Sequence, residues 1–400
     1  MRSLHFCPRP GFALMPLAVL ALVTAAHAQS APAFDWVQAS PEGQGMSSAR
    51  LNAIKDSLAA TTKALLVVRN DKLIYEWCAE GRTAKDKHST ASMAKAIVGG
   101  LSLAVAITDG LMSIDDRAAK YVPQWKDDPA KSQIAVRHLG SHTSGIQDGW
   151  NKQEADRGVD QNDFSGWEGD FWRWRGGTQP PSHNAFTLSR DVAPVLFTPG
   201  SDFHYSNTGI AMLTYCVTEA IKGTSHTDVR TLLRERIMRP IGIPDDEWSC
   251  GYGKTEVVDG LPLVANWGGG NYTPRAVARI GRLVLRQGDW DGKRLLSEKA
   301  VRDITADAGF PGHCGMGWWT NAEGRYPKLP RDAVYGAGAG DQLLLVVPSL
   351  NLIMVRNGAT IAPPPKPPQG DKRKLDVIAE YHDQRAKLLF EPLIEAVIAK

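Results

Sequence analysis

The chain predicts a mixed α/β (α+β) fold: one antiparallel sheet built from both chain ends, flanking helices, and a mostly helical lobe between them. Three observations predict it. Residues 64–68 and 72–77 are strand-like runs joined at Asn70-Asp71, a pair suited to a tight hairpin turn. Residues 342–347 and 352–355, joined through Pro348-Ser349, give a second antiparallel hairpin near the other end. Between them the sequence is helical and loop-rich without internal repeats, which puts the strands in one lobe and the middle of the chain in another. The expected organisation is a leader over 1–28, a sheet lobe over 34–110 and 265–400, and a helical lobe over 111–264. A cleft between lobes is the usual place for a site.

Taken in order, the first segment reads as a secretion signal. Arg2 and Arg9 give a positive start, residues 13–26 are apolar but interrupted by Pro16, and Ala26-His27-Ala28 is a small-x-small cleavage site. The apolar run is shorter than a membrane span. The mature chain is expected to begin near Gln29 and to be periplasmic or secreted. No cysteine stands at the cleavage point, so no lipid or membrane anchor is expected to remain. Residues 47–58 place Leu51, Ile54 and Leu58 on one face of a helix. After Ser92, Met93, Ile97, Leu101 and Val105 recur every four residues up to Gly110, as in a buried helix.

The stretch 150–181 is polar and holds Trp150, Trp167, Phe171, Trp172 and Trp174. It reads as a long lid or binding loop, with packing of the tryptophans onto the body as the alternative. Asn207 reads as a helix cap before the stripe Ile210, Leu213, Val217 and Ile221. A further helix is expected over 273–286, with Val277, Ile280 and Val284 on one side. The Pro-rich segment 362–369 reads as an extended surface connection, and 375–399 as an amphipathic terminal helix.

Composition narrows the function. Four hundred residues suffice for a substantial core. Removing the leader with Arg2 and Arg9 lowers the net charge from +3 to about +1, and no basic stripe exists, so neither nucleic acid nor an anionic membrane is an expected partner. Four cysteines remain after the leader and could pair in three ways in an oxidising compartment. Cys216 reads as a buried thiol, and Cys250–Cys314 is the pairing considered. There is no C-x-x-C and no H-E-x-x-H, so no zinc site is expected. The absence of G-x-S-x-G removes support for an α/β-hydrolase.

Three constellations carry chemistry. Ser92 and Lys95 are one helical turn apart in an apolar segment. Burial disfavours an ammonium, and a neutral amine beside a serine activates a nucleophile without histidine. Tyr205, at a helix mouth beside Asn207, is the second candidate for proton transfer. Its phenol needs a nearby cation to act as a base, and Lys95 is the expected one. Gly336-Ala337-Gly338-Ala339-Gly340 leads into a strand, where Gly338 and Ala339 would let substrate approach the backbone and an N–H group meet an oxyanion.

Together these residues resemble the serine hydrolases of the class C β-lactamase and penicillin-binding-protein superfamily, which includes esterases, D-aminopeptidases and 6-aminohexanoate-dimer hydrolases. Ser92-x-x-Lys95 is similar to the first family motif and Tyr205-Ser206-Asn207 to its Y-x-N motif. Residues 136–145, VRHLGSHTSG, resemble a further signature, as do Leu111-Met112-Ser113-Ile114-Asp115-Asp116, Arg239-Pro240-Ile241-Gly242 and Gly288-Asp289-Trp290-Asp291-Gly292-Lys293. The resemblance runs in order from about residue 45 to 360. It implies a β-lactamase/transpeptidase-like fold and acyl transfer through Ser92, with Lys95 and Tyr205 sharing the proton work. It also implies an oxyanion hole from the Ser92 and Ala339 N–H groups and a role for Asn207 in binding substrate or Lys95. No metal or organic cofactor is implied, and the HTSG segment around His142 and Ser144 would be structural.

One departure matters. The third family motif, commonly K-T-G or H-x-G, is here Gly336-Ala337-Gly338. Loss of the cationic side chain points away from penicillins and D-Ala-D-Ala peptides towards a small neutral ester or amide. A β-lactamase or D-Ala-D-Ala carboxypeptidase is the alternative enzyme. A non-catalytic binding protein with a relic site is the alternative of another class. The sequence implies no particular oligomeric state.

Overall fold

The computed structural model describes residues 34–176, 183–361 and 384–398, together with Met1. The leader, the Pro-rich connection, the last residues of the aromatic stretch and the start of the terminal helix lie outside the described residues.

The main sheet has six strands, all antiparallel: β1 (Thr62–Arg69), β2 (Lys72–Cys78), β3 (Trp319–Thr320), β4 (Val334–Gly338), β5 (Gln342–Val347) and β6 (Leu352–Gly358). Their order is β3-β4-β5-β6-β1-β2. β6 lies against β1, with Leu66 opposite Val355 and Val67 opposite Met354, so the sheet is made from both chain ends as the two hairpins require. Asn70 and Asp71 both take positive φ (49° and 63°), the geometry that joins β1 to β2 in a two-residue turn.

Strand alternation separates two cores. Leu66 and Val68 of β1 face the larger one, while Leu65 and Val67 face the smaller. Helix α1 (Ser48–Leu58), capped by Ser47, covers the smaller core with Leu51, Ile54 and Leu58, joined there by Leu389, Phe390 and Leu393 near the chain end. The larger core holds the apolar run after Ser92, which ends in α2 (Leu101–Thr108). Around it stand α3 (Gly166–Arg173), α4 (Asn207–Ala220) and α5 (Pro274–Leu285). Both faces of the sheet are therefore buried, and Ser92 enters at the edge of the larger core.

One expectation needs correction, and one pairing considered from the sequence is not formed. The aromatic stretch is not an open loop. It folds into short helical segments and α3, and Phe171, Trp172 and Trp174 are buried, whereas Trp150 is exposed. The reason is Trp267, whose ring is met by Phe171, Trp174 and Phe186 at centroid distances of 5.3, 5.9 and 5.5 Å. Edge and tilted contacts of this kind stabilise aromatic clusters beyond the area they bury. The Cys250–Cys314 pairing is also absent: Cys78, Cys216, Cys250 and Cys314 are all free thiols. Cys314 donates its S–H to the Ser141 carbonyl instead, at 3.1 Å.

Candidate active site

Ser92 follows a strained turn. Ala91 stands at φ 44°, a left-handed conformation that costs a non-glycine residue about 1–3 kcal/mol and persists only where its surroundings enforce it. Thr90 on one side donates its N–H to Gly270 O at 2.9 Å. On the other side β4 presses against the turn at Gly338. A Cβ there would lie 2.1 Å from Thr90 O and 3.0 Å from both Ala91 Cβ and Met93 N. Gly338 is thus a packing residue, which corrects its expected place at the substrate: its missing side chain makes room for the serine turn. Ala339, one residue on, is exposed and borders the same cavity as Ser92.

From Ser92 the chain enters a widened, π-helical turn, Lys95–Gly100, before α2. Such bulges recur at functional sites. Lys95 is 2 % exposed. Its Nζ stands 3.1 Å from Ser92 Oγ, 2.7 Å from Asn207 Oδ1 and 2.9 Å from the Trp267 carbonyl oxygen. Two of these partners can only accept. An amine that gives one N–H to each of them turns its third tetrahedral direction on the serine hydroxyl.

Asn207 is not the helix cap. Ser206 takes that position, accepting the Gly209 N–H at 2.9 Å, and Asn207 is the first residue of α4. Its amide is thereby free for the site. Nδ2 donates to both oxygens of Asp148 at 3.1 Å, and the Asn207 backbone N–H donates to Asp148 Oδ1 at 2.7 Å. Because the carboxylate claims the NH₂ end, Oδ1 must face Lys95.

Burial sets the protonation states. It pulls the Lys95 ammonium down from its ordinary 10.5 to about 7, against the opposing pull of Asp148. Burial likewise raises the Asp148 carboxyl, opposed by the Asn207 N–H groups and by Lys95. Tyr205 shares a hydrogen bond with Ser92, yet burial raises its phenol well above the ordinary value. Lys95 Nζ lies over the Tyr205 ring, 4.8 Å from its centroid. Burial thus brings the Lys95 amine close to neutrality while it holds the Tyr205 phenol in its neutral form.

His142 positions that phenol. Its ring centroid is 4.5 Å from that of Tyr205, and its Nδ1 accepts the Ser206 N–H at 3.2 Å. Burial lowers its pKa to about 3, so it remains neutral. Ser144 caps the Ile146 N–H at 3.3 Å.

Ser92, Tyr205, Asn207 and Ala339 border one cavity of about 1170 Å³, walled by Trp150, Trp172, Phe203 and Tyr252. Sequence reasoning brought Ser92, Lys95, Tyr205 and Asn207 together correctly but missed Asp148, Trp267 and Tyr252. Asp148 lies three residues beyond the HTSG signature with no spacing motif of its own. The Gly268-Gly269-Gly270 run was a usable signal. Gly269 (φ +75°) is where the Tyr252 ring lies against the main chain, and a Cβ there would meet the ring at 2.3 Å.

Asp148→Asn is expected to slow turnover by about tenfold or more, the scale of losing a hydrogen-bonded charge from a buried network. It should also move the acid limb of the pH–rate profile to lower pH, because Asp148 raises the Lys95 pKa. An unshifted limb would make Asp148 merely a fold residue.

Known proteins share this architecture. A candidate 6-aminohexanoate-dimer hydrolase from Bacillus anthracis is similar at 19 % identity and TM-score 0.60, over 88 % of this chain and 87 % of that one. A D-stereospecific amidohydrolase from Streptomyces is similar at 18 % and 0.58, over 78 % and 94 %. A family VIII carboxylesterase is similar at 17 % and 0.56, over 85 % and 99 %. At these identities the likeness is one of fold. The Beta-lactamase family model matches residues 51–377, a span that takes in the serine turn, the buried lysine and the tyrosine, and this chain belongs to that family of serine hydrolases.

Proposed function

We propose that the protein is an exported hydrolase that cleaves an ester or amide through an acyl-enzyme on Ser92. The observation that carries this reading is the Lys95 amine, desolvated to a pKa near 7 and directed at Ser92 Oγ from 3.1 Å. Ser92 Oγ attacks the carbonyl carbon and its proton passes to Lys95. The Ser92 and Ala339 N–H groups receive the negative charge that develops on the carbonyl oxygen. The proton then reaches the leaving group through the Tyr205 hydroxyl. Water attacks the acyl-enzyme, gives its proton to the same pair and releases the acid. Every proton taken from a nucleophile is returned to a leaving oxygen or nitrogen, and no net charge accumulates. Export rests on the leader-like composition of residues 1–28.

A p-nitrophenyl alkylphosphonate tests the chemistry. Intact-mass measurement should register one phosphonyl adduct, and peptide mapping should locate it on Ser92. A missing adduct, or one on another residue, would overturn the proposal. Rapid clearance of nitrocefin would redirect the assignment to a β-lactamase, and a stable fluorescent-penicillin label to a peptidase.

A further inference from the structure

The cavity holds a cation that the hydrolytic steps do not use. Arg175 borders it with Trp172 and Tyr252. Its guanidinium carbon lies 5.1 Å from the Trp172 ring centroid and 5.4 Å from that of Tyr252. Nε donates to the Trp172 carbonyl at 3.0 Å and Nη2 to Asn162 Oδ1 at 2.7 Å. Two ring faces and three neutral acceptors, the Tyr252 hydroxyl being the third, fix the plane of the guanidinium, and among the described residues no carboxylate pairs with it. The acids nearby are committed elsewhere. Asp170 pairs with Arg173, Asp156 with Lys152, Asp148 is held by Asn207, and Asp160 accepts from the backbone and side-chain N–H groups of Asn162 rather than from Arg175. The undescribed residues 177–182 (GTQPPS) contain no acid.

A fixed guanidinium in an aromatic-walled cavity, with no carboxylate partner among the described residues, is matched by a substrate carboxylate, which its remaining N–H groups can hold. We propose that the substrate bears a free carboxylate, separated from the scissile ester or amide by an apolar spacer, and that Arg175 binds it. This rests on the serine-hydrolase reading above and replaces the neutral substrate expected from the glycine-rich third motif. The apolar spacer would lie along Trp172 and Tyr252, and the reacting carbonyl at Ser92.

The test compares p-nitrophenyl half-esters of straight-chain diacids, adipate to sebacate, with the corresponding p-nitrophenyl methyl diesters. Each pair shares spacer and leaving group and differs only in the distal charge. For at least one length, the wild type should prefer the free acid by about tenfold to a hundredfold in kcat/KM, the range of a charged hydrogen-bonded contact. Arg175→Gln should bring that ratio towards one, and Arg175→Lys should keep part of it. A wild-type ratio near one at every length, or a ratio unchanged by Arg175→Gln, would overturn the proposal.

A binding arm separates this from the chemistry. Diacid monoanilides and their methyl esters are titrated calorimetrically into Ser92→Ala protein with and without Arg175→Gln. Failure of all ester turnover with a persisting carboxylate preference in binding would sink the hydrolase reading and uphold Arg175. Turnover with no preference in either arm would sink Arg175 alone. Thermal midpoints of the variants exclude misfolding as the cause.

Discussion

Ser92→Ala is expected to abolish turnover of a chromogenic ester while the thermal midpoint stays close to that of the parent. Loss of a nucleophile that works as a unit with its base costs on the order of 10⁵-fold or more in rate. Stability should change little, because Ser92 is half-buried at the cavity wall and Lys95 keeps its acceptors on Asn207 and Trp267. Only the 3.1 Å contact to Lys95 and the bond shared with Tyr205 are lost. Steady-state kinetics together with a melting curve would check both parts. Retention of even a few per cent of the rate in protein free of parental enzyme would remove the acyl-enzyme from the mechanism.

Lys95→Ala should lower kcat/KM by about 10²–10⁴-fold, the usual contribution of a positioned general base. Lys95→Arg should be equally damaging, since a guanidinium keeps the charge but cannot give up its proton. This pair of variants distinguishes a base from a mere counter-charge: arginine would rescue the latter. The pH dependence follows with the same sign. Below about 7 Lys95 is protonated and cannot accept from Ser92, so kcat/KM should fall tenfold per pH unit on the acid side and level off above it. An unperturbed lysine would be neutral in less than about one molecule in a thousand at pH 7. Burial thus supplies most of the available base. A limb near 10 in the parent enzyme, or a mere twofold loss in Lys95→Ala, would contradict this assignment.

Much of this site was legible because its parts are local. Ser92 and Lys95 meet through the period of one helix, and the apolar positions after them announce that the helix is buried. Both hairpins were legible because strand alternation and the Asn70-Asp71 turn are short-range signals. The aromatic stretch was misread for the opposite reason: whether a tryptophan faces solvent depends on a partner, and Trp267 lies about a hundred residues further on. Gly338 was misplaced likewise. A glycine beside a site can admit substrate or admit another segment of chain, and only the approach of Thr90 decides between them.

By itself the sequence determined the sheet drawn from both chain ends, the chain order of the motifs, and the candidate groups that the fold gathers at one cavity. Tertiary structure alone decided the protonation. The Lys95 amine is poised near neutrality because distant segments bury it against the opposing pull of Asp148, and no local pattern encodes how much water they exclude. It also decided the charge of the cavity. Arg175 is an ordinary surface-type residue in the sequence, and its proposed part in recognition arises only because two aromatic rings from separate segments hold it, with no carboxylate paired to it among the described residues.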